Sequence, residues 1–275
     1  MINFLHTYLP QPILLQFGPI NLNWYGLFLV LGILTALCIS VYLGKKYYNI
    51  PQDEVFDISF WLIIWGVAGA RIYDVFLQLP YYTKHPLQIL QIWKGGLAIH
   101  GSIIAGLAVI YYFSHKKKIS FFKLTALFVP GLALGQAIGR FGNYFNQELF
   151  GLPTNLAWGI PISLTNRPAE YITAQYFHPT FLYESLGCLL IFLILLLIIK
   201  TKNKISNTYF YVWFTAAYMV LYSLLRFSLE FIRVDYAPVF LGLRWPQFIS
   251  LIIIFTAVII SIIQKHVFYK NEKKE

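Results

Sequence analysis

The sequence predicts an all-α integral membrane protein with about seven transmembrane helices. Of its 275 residues, 58% are hydrophobic and only 12% are charged, and the mean hydropathy is +0.63, far from the usage of water-soluble domains. The apolar residues form continuous runs of about 20, the length that an α-helix needs to cross a bilayer. Membrane barrels instead show alternating segments of about ten residues, so this pattern favours helices.

Seven segments approach this length, and we expect their bounds to hold within about four residues. In chain order they are 22–44, 55–79, 97–114, 120–138, 179–200, 208–230 and 246–265. The third and fourth are short and rich in Gly and Ala. The longest region outside the spans, about 140–178, contains several prolines and polar residues, which predict a small, partly irregular external cap. We therefore expect residues 1–275 to form a single transmembrane domain.

The lysines orient the predicted bundle. In this arrangement 13 of the 15 lysines fall on one side, and the positive-inside rule makes that side cytoplasmic. They are Lys45, Lys46, Lys116, Lys117, Lys118, Lys123, Lys200, Lys202, Lys204, Lys265, Lys270, Lys273 and Lys274. Seven spans then place the N-terminus outside and the C-terminus in the cytoplasm. The net charge of +10 is mostly this lysine fringe and does not indicate a nucleic-acid partner.

The six arginines all lie in spans or on the predicted external side, against the positive-inside rule. Such positions need another reason, and recognition of phosphate or carboxylate is the usual one. The run GRFGNYFNQELFG, from Gly139 to Gly151, is the strongest candidate site. Polar groups near membrane depth are costly and persist mainly where they face a cavity or have a function. The glycines of the run allow the backbone to approach a ligand closely.

A second polar group lies at the end of the sixth predicted span. Tyr222, Arg226, Glu230 and Arg233 are spaced four, four and three residues apart, which places all four on one face of a helix. One interpretation is a ladder of ion pairs that caps the span. The other is a phosphate clamp in which Glu230 fixes the arginines, since two arginines against one glutamate leave a surplus positive charge.

Several single residues are open to two interpretations. His100 lies among glycines near the external end of the third span, and it is either a hydrogen-bonded core residue or a proton acceptor. Tyr25 is either an interface aromatic or part of a site. Arg71 and Asp74, three residues apart, favour a local salt bridge. Glu184, near the start of the fifth span, fits simple helix-start chemistry.

Taken together, these residues resemble the bacterial prolipoprotein diacylglyceryl transferase family. The family signature, Gly-Arg-x-Gly-Asn-Phe-x-Asn-x-Glu-x-x-Gly, matches the run from Gly139 to Gly151, with Tyr144 at the usual Phe position. Further matches occur in order along the chain. They are Trp24 to Gly26, Gly69 to Arg71, Gly95 and Gly96 with His100 and Gly101, His178 and Pro179 with Tyr183 and Glu184, Arg226 to Arg233, and Gln247 with Ser250.

The resemblance implies transfer of the diacylglyceryl group of phosphatidylglycerol to the thiol of a lipobox cysteine in a prolipoprotein signal peptide. The product is a thioether, glycerol-1-phosphate leaves, and the reaction begins bacterial lipoprotein maturation. It implies a multi-pass enzyme of the bacterial inner or plasma membrane, in contact with membrane lipids, with its site on the external side. Neither a metal nor an organic cofactor is implied.

The expected roles follow from this chemistry. Arg140 and Arg226 would stabilise charge on the leaving phosphate, His100 would accept the thiol proton, and Arg233 would be more peripheral and linked to Glu230. The remaining expected substrate-binding residues are Tyr25, Asn143, Asn146, Glu148, Gly151 and Tyr222. A transporter of small anions or organophosphates could use the same arginines, but it predicts paired interrupted helices, which the sequence does not show. A purely structural scaffold has no use for so many external arginines.

Overall fold

The computed structural model of the chain describes residues 2–18, 20–201 and 207–272. The described residues form nine α-helices joined by short strands and single turns of other helix types. The helices are α1 (Ile2–Thr7), α2 (Trp24–Leu43), α3 (Gln52–Leu77), α4 (Leu79–Tyr82), α5 (Ile99–Lys116), α6 (Phe121–Phe145), α7 (Thr180–Thr201), α8 (Thr208–Leu229) and α9 (Trp245–Glu272). Three antiparallel pairs of short strands accompany them: β1 (Ile13–Phe17) with β2 (Ile20–Asn23), β3 (Ile160–Pro161) with β4 (Tyr176–Phe177), and β5 (Val239–Phe240) with β6 (Leu243–Arg244).

Six helices of the described chain are long and apolar enough to cross a membrane, which confirms a mostly helical, polytopic membrane protein. They are Trp24–Tyr48, in which a π-helical turn (Gly44–Tyr48) extends α2, and Gln52–Leu77, Phe121–Phe145, Thr180–Thr201, Thr208–Leu229 and Trp245–Phe268. The third predicted span corresponds to α5, which is a helix of 18 residues but is less apolar than these six. Four of the lysines used to orient the bundle, Lys202, Lys204, Lys273 and Lys274, lie outside the described residues.

The predicted end of the fourth span at residue 138 is wrong, because α6 continues to Phe145. The helix therefore includes Arg140 and Asn143, which were predicted to lie in the external cap. One glycine of this part of the helix, Gly142, is closely approached by a neighbouring side chain. A Cβ atom on Gly142 would lie 2.7 Å from Cδ2 of Tyr25, so the missing side chain makes room for that ring.

The chain forms two compact units, Met1–Ile39 with Phe128–Glu275, and Ser40–Leu127. In the first unit, α8 packs along both α7 and α9. α2 also approaches α6 closely at Gly32, where a Cβ atom would lie 2.9 Å from the carbonyl oxygen of Gly135. A small hydrophobic core holds the region between α6 and α7 together. It contains Tyr144, Phe150, Ile160, Ile162, Phe177 and Phe181.

In the second unit, α3 packs along α5. The contact is close because small residues meet there: a Cβ atom on Gly69 would collide with both the side chain of Ala105 and the backbone of Gly101. Away from this contact, the hydroxyl of Tyr48 donates a 3.0 Å hydrogen bond to the carbonyl of Ala126. The expectation of one transmembrane domain with an external cap stays a prediction.

Candidate functional site

The carboxylate of Glu184 on α7 lies at the centre of a buried group of arginines. Only 2% of its side chain is exposed. Its Oε1 atom is 2.8 Å from Nη2 of Arg140 on α6, and its Oε2 atom is 3.4 Å from Nη1 of Arg226 on α8. The hydroxyl of Tyr222 donates to Oε1 at 3.2 Å. Burying a charge is costly unless it is paired and hydrogen-bonded, and two neighbouring helices supply these partners.

A second buried carboxylate, that of Glu230, is 1% exposed and also forms ion pairs with arginines. Its Oε2 atom lies 3.1 Å from Nη2 of Arg226, and its Oε1 atom lies 3.2 Å from Nε of Arg244. α8 ends at Leu229, so the predicted helical face does not extend to Arg233. Glu230 nevertheless continues the helical hydrogen bonding, because its N–H donates to the carbonyl of Arg226 at 3.1 Å.

Arg233 lies in the turn beyond α8, and its expected link to Glu230 is present, with Nε 4.0 Å from Oε2 of Glu230. Only 4% of its side chain is exposed, the smallest fraction among the four arginines of this site. Its Nε atom donates to Oδ1 of Asp235 at 2.8 Å, and its Nη1 atom is 3.8 Å from Oε2 of Glu184. Arg244 holds the same turn through the backbone carbonyls of Arg233 and Asp235.

We name Arg140, Arg226, Arg233 and Arg244 the arginine cluster. Ion pairs join its four guanidinium groups to the three carboxylates of Glu184, Glu230 and Asp235. The ion-paired set therefore carries one surplus positive charge. A surplus charge in such a partly buried setting can bind an anion, which a fully neutral ladder of ion pairs would not favour.

Arg140 is also fixed by residues of the run from Gly139 to Gly151, directly by Asn143 on α6 and through it by Glu148 in the following turn. Its Nη1 atom donates to Oδ1 of Asn143 at 3.1 Å, and Nδ2 of Asn143 donates to Oε1 of Glu148 at 2.7 Å. Nδ2 of Asn146 reaches the same oxygen at 3.3 Å. On the other side, Nη2 of Arg140 donates to the hydroxyl of Tyr222 at 3.4 Å. The guanidinium is therefore held in one orientation before any ligand arrives.

The turn after α6 carries backbone strain that its contacts explain. Gln147 and Leu149 adopt left-handed conformations, with φ of 53° and 56°, which side-chain-bearing residues rarely adopt. The buried amide of Gln147 compensates by donating to the carbonyl of Pro10 and accepting from the N–H of Ser163, both at 2.7 Å. These hydrogen bonds hold the strained turn, on which the site is built, in place.

Gly151 joins this turn to the segment that carries Arg233. The two residues form an isolated antiparallel bridge, and the N–H of Gly151 donates to the carbonyl of His178 at 2.9 Å. A Cβ atom at Gly151 would lie 2.8 Å from Cβ of His178 and 2.9 Å from both the carbonyl oxygen of Ile232 and Cγ2 of Thr180. Only glycine fits this crossing without displacement.

Arg140 and Asn143 line a cavity of about 250 Å³ between α2 and α6. Tyr25, at the start of α2, lies at the same cavity and is 41% exposed. Its other lining residues are Leu29, Gly32, Ile33, Ala36, Leu132, Gly135, Gln136 and Gly139. The cavity therefore has an apolar wall and polar groups contributed mainly by α6, an arrangement that suits an amphiphile with a charged head.

His100 belongs to the second unit, where it is exposed at the second position of α5, with its ring 5.8 Å from that of Tyr73.

The same unit contains the predicted Arg71–Asp74 salt bridge, which is confirmed at 3.8 Å. Arg71 makes most of its hydrogen bonds to backbone carbonyls of the segment before α5. They come from Gln88, Ile89, Gly95 and Gly96. Burial and a 2.9 Å hydrogen bond to Asp74 raise the pKa of the Tyr82 phenol, which therefore stays protonated and donating.

Sequence reasoning missed two residues of this site. Glu184 was interpreted as helix-start chemistry, but it is the fifth residue of α7 and forms ion pairs with two arginines. A carboxylate at that depth in an otherwise apolar span was the signal that could have identified it. Arg244 was noted only as an external arginine.

Among the described residues, no group of three His, Cys, Asp or Glu side chains could hold a metal ion.

Comparisons with known proteins cover the whole of this site. A family model described as prolipoprotein diacylglyceryl transferase matches residues 12–263. The phosphatidylglycerol–prolipoprotein diacylglyceryl transferase of Nostoc sp. (strain PCC 7120) is 42% identical over 249 residues, covering 88% of this chain and 85% of the relative. The protein of that name from Finegoldia magna is 40% identical over 256 residues, covering 93% of this chain and 96% of the relative. A third, from Synechococcus elongatus, is 40% identical over 246 residues, with 89% and 84% covered.

Proposed function

The chain belongs to the prolipoprotein diacylglyceryl transferase family, and we propose that its arginine cluster binds the phosphate of the lipid donor during the transfer. It is a transferase of the diacylglyceryl transfer step of lipoprotein maturation, with phosphatidylglycerol as donor and a prolipoprotein as acceptor. Its apolar helices and its bacterial relatives make it a multi-pass bacterial membrane protein. The roles of its residues, given below, are our proposal.

The reaction forms one bond and breaks one. The sulfur of the acceptor, a lipobox cysteine, attacks the terminal glycerol carbon that carries the phosphate ester. A C–S bond forms, the C–O bond to the phosphate breaks, and glycerol-1-phosphate leaves with the electron pair. The thiol proton must go to a base. The transition state therefore concentrates negative charge on the leaving phosphate, where fixed donors give the largest stabilisation.

The orientation of Arg140 is the observation that carries this proposal. A guanidinium offers five N–H donors. In Arg140, Nη1 donates to Asn143 and Nη2 donates to Tyr222, and Nη2 also lies 2.8 Å from a carboxylate oxygen of Glu184. The Nε–H and one Nη1–H have no partner among the described residues, and the side chain lines the cavity. Each of these donors can bind an oxygen of a phosphate, and guanidinium groups are favoured where phosphate is recognised.

The cavity supports a lipid substrate in particular. With the phosphate at Arg140, the acyl chains would lie against the apolar wall formed by Leu29, Ile33 and Leu132. Tyr25 and Asn143 would border the head group. Glu148, which orients Asn143, would at the same time be available to glycerol hydroxyls of the head group through its carboxylate.

We assign the proton transfer to His100. The support is the exposure of its imidazole at the start of α5 and the fact that histidine exchanges protons near neutral pH. A thiol must lose its proton before it becomes an effective nucleophile, because the thiolate is the reactive form.

We propose that α5 is a seventh span, which gives the N-terminus an external and the C-terminus a cytoplasmic location. Its outer face is apolar and exposed, with Ile104 61% and Leu107 48% exposed, as expected for contact with lipid. If α5 did not cross, the basic segment Lys116–Lys118 would lie on the opposite side from Lys45 and Lys46, against the positive-inside rule. With seven spans, the arginine cluster is on the external side.

The experiment uses purified protein in phosphatidylglycerol vesicles with a synthetic lipobox peptide. The matched control peptide has Ser in place of the acceptor Cys. We expect the mass of one diacylglyceryl group to be added to the Cys peptide only, with an equal amount of glycerol-1-phosphate released. No adduct, combined with flux of a phosphorylated solute across the vesicle membrane, would contradict the proposal and favour transport.

A further inference from the structure

We propose that Gln136 is a positioning residue that donates a hydrogen bond to an ester carbonyl of the diacylglycerol. The inference rests on the proposed placement of the lipid phosphate at Arg140. The hydrogen bond would hold the lipid at a second point, on the opposite side of the reacting carbon from the phosphate. None of the sequence motifs includes this residue.

The first observation is its position on α6. Gln136, Arg140 and Asn143 are spaced four and three residues apart, so they lie on one face of the helix, and all three line the same cavity. Gln136 is one helical turn, about 5.4 Å along the axis, from Arg140 towards the middle of α6. It is the only amide side chain among the lining residues on that apolar side of Arg140.

The second observation is how its amide is held. The hydroxyl of Tyr218 on α8 donates to Oε1 of Gln136 at 2.9 Å. This leaves the amide NH₂ group without a partner among the described residues, while the side chain borders the cavity. An amide in an apolar environment is stabilised by using its donors, so a carbonyl oxygen at this point would be bound favourably.

The third observation links this amide to the arginine cluster. Tyr218 is 7% exposed, and its ring stacks on that of Tyr222, with ring centres 6.1 Å apart and planes within 10°. Tyr222 contacts both Arg140 and Glu184 through its hydroxyl. One stacked pair of tyrosines therefore fixes the two groups that would hold the lipid.

The chemistry of the donor fits two such points. In a phospholipid the ester carbonyls lie a few covalent bonds from the phosphorus, a separation comparable to one helical turn. The carbon attacked by sulfur lies between the phosphate and the ester groups. Holding atoms on both sides restricts this carbon to orientations from which the C–O bond can be broken in line, and such positioning accelerates the reaction.

A dialkyl phosphatidylglycerol tests the proposal, because its ether chains lack the carbonyls but its reacting C–O bond is unchanged. We expect wild-type protein to use the diacyl lipid with a kcat/KM about fivefold higher than the dialkyl lipid, the effect of one hydrogen bond. In Gln136→Leu the ratio of kcat/KM for the diacyl lipid to that for the dialkyl lipid should fall to about one. Each ratio is measured on one preparation, so losses of folded protein cancel.

A second variant keeps the buried tyrosine satisfied. Gln136→Leu leaves the hydroxyl of Tyr218 unpaired, whereas the double variant Gln136→Leu/Tyr218→Phe removes both partners together and preserves packing. The double variant should show the same loss of preference. Tyr218→Phe alone frees the amide to rotate and should give an intermediate preference.

The outcomes separate this inference from the function itself. If wild-type protein transfers both lipids with equal kcat/KM, or if Gln136→Leu keeps the wild-type preference, the role of Gln136 is refuted while the transferase assignment stands. If neither lipid gives an adduct with wild-type protein, the proposed function fails and this inference fails with it.

Discussion

The carboxylate of Glu184 lies 2.8 Å from the guanidinium of Arg140, within a span that is otherwise mostly apolar. The same carboxylate contacts Arg226 with its other oxygen, so one buried acid connects the arginine of α6 to the arginine of α8. Because Glu184 is almost fully buried, water cannot replace it as the partner of the two guanidinium groups. The position of each guanidinium therefore depends on a residue that need not contact the substrate itself.

Replacing Glu184 tests this dependence. Glu184→Gln keeps the shape of the side chain but removes the charge that holds Arg140 and Arg226. We expect kcat/KM for lipid transfer to fall about 10²-fold or more, since misplaced donors lose their stabilisation of the leaving phosphate. Glu184→Ala should also lower the free energy of unfolding by about 3–5 kcal/mol, because it leaves buried charges uncompensated.

The matched control for this prediction is Glu170→Gln, at an exposed position outside the arginine cluster. It should change neither transfer activity nor thermal unfolding in detergent. Wild-type activity in Glu184→Gln would mean that Glu184 is dispensable for placing the arginines.

Gly151→Ala tests the crossing between the turn after α6 and the segment of Arg233. The added methyl group would meet three neighbours at 2.8–2.9 Å, two of them rigid backbone or Cβ atoms. We expect overpacking to cost about 1–3 kcal/mol of stability and to reduce transfer sharply, because Arg233 must move. Gly66→Ala, where nothing lies within 4 Å, should retain activity and folding. Equal activity in the two variants would contradict the account of Gly151.

The proposed base is tested by His100→Gln. We expect kcat to fall by about 10²- to 10⁴-fold, as for removal of a general base, and the remaining activity to rise with pH as solvent deprotonates the thiol. His85→Gln, at another exposed histidine of the same unit, serves as the control and should keep the wild-type pH profile. If His100→Gln keeps both activity and pH profile, another group takes the proton.

Membrane topology is tested by single introduced cysteines on either side of α5. Leu87→Cys and Ser120→Cys lie before and after this helix at exposed positions. A membrane-impermeant thiol reagent applied to intact cells should label Leu87→Cys and not Ser120→Cys. The wild-type protein, with Cys38 and Cys188 inside helices, gives the background. Equal labelling of both positions would show that α5 does not cross the membrane.

The sequence predicted the class of fold because long apolar runs have few alternatives to membrane helices. It also singled out Arg140, Arg226 and Glu230 as candidates, since charged residues in or beside such runs are exceptional. The end of α6 was missed because Gly139 and Gly142 resemble the start of a loop, and only the closeness of Tyr25 in space shows why glycine occurs within a helix.

Other features depend on pairings that sequence spacing does not show. Glu184 had no partner within its own helix, so its role became visible only when α6 and α8 were placed beside it. Gln136 gave no signal at all, because its importance comes from Tyr218, which is 82 residues away in the chain.

Phosphate binding by Arg140 is the central claim, and binding of the product glycerol-1-phosphate tests it most directly. We predict that Arg140→Ala abolishes this binding and lowers kcat/KM about 10³-fold, with thermal unfolding still cooperative. Arg140→Lys should restore little of either, because a compact ammonium group lacks the planar, fixed set of donors with which the guanidinium contacts Asn143 and Glu184 and still faces the cavity. Near-normal lipid transfer and unchanged glycerol-1-phosphate binding in Arg140→Ala would contradict the account.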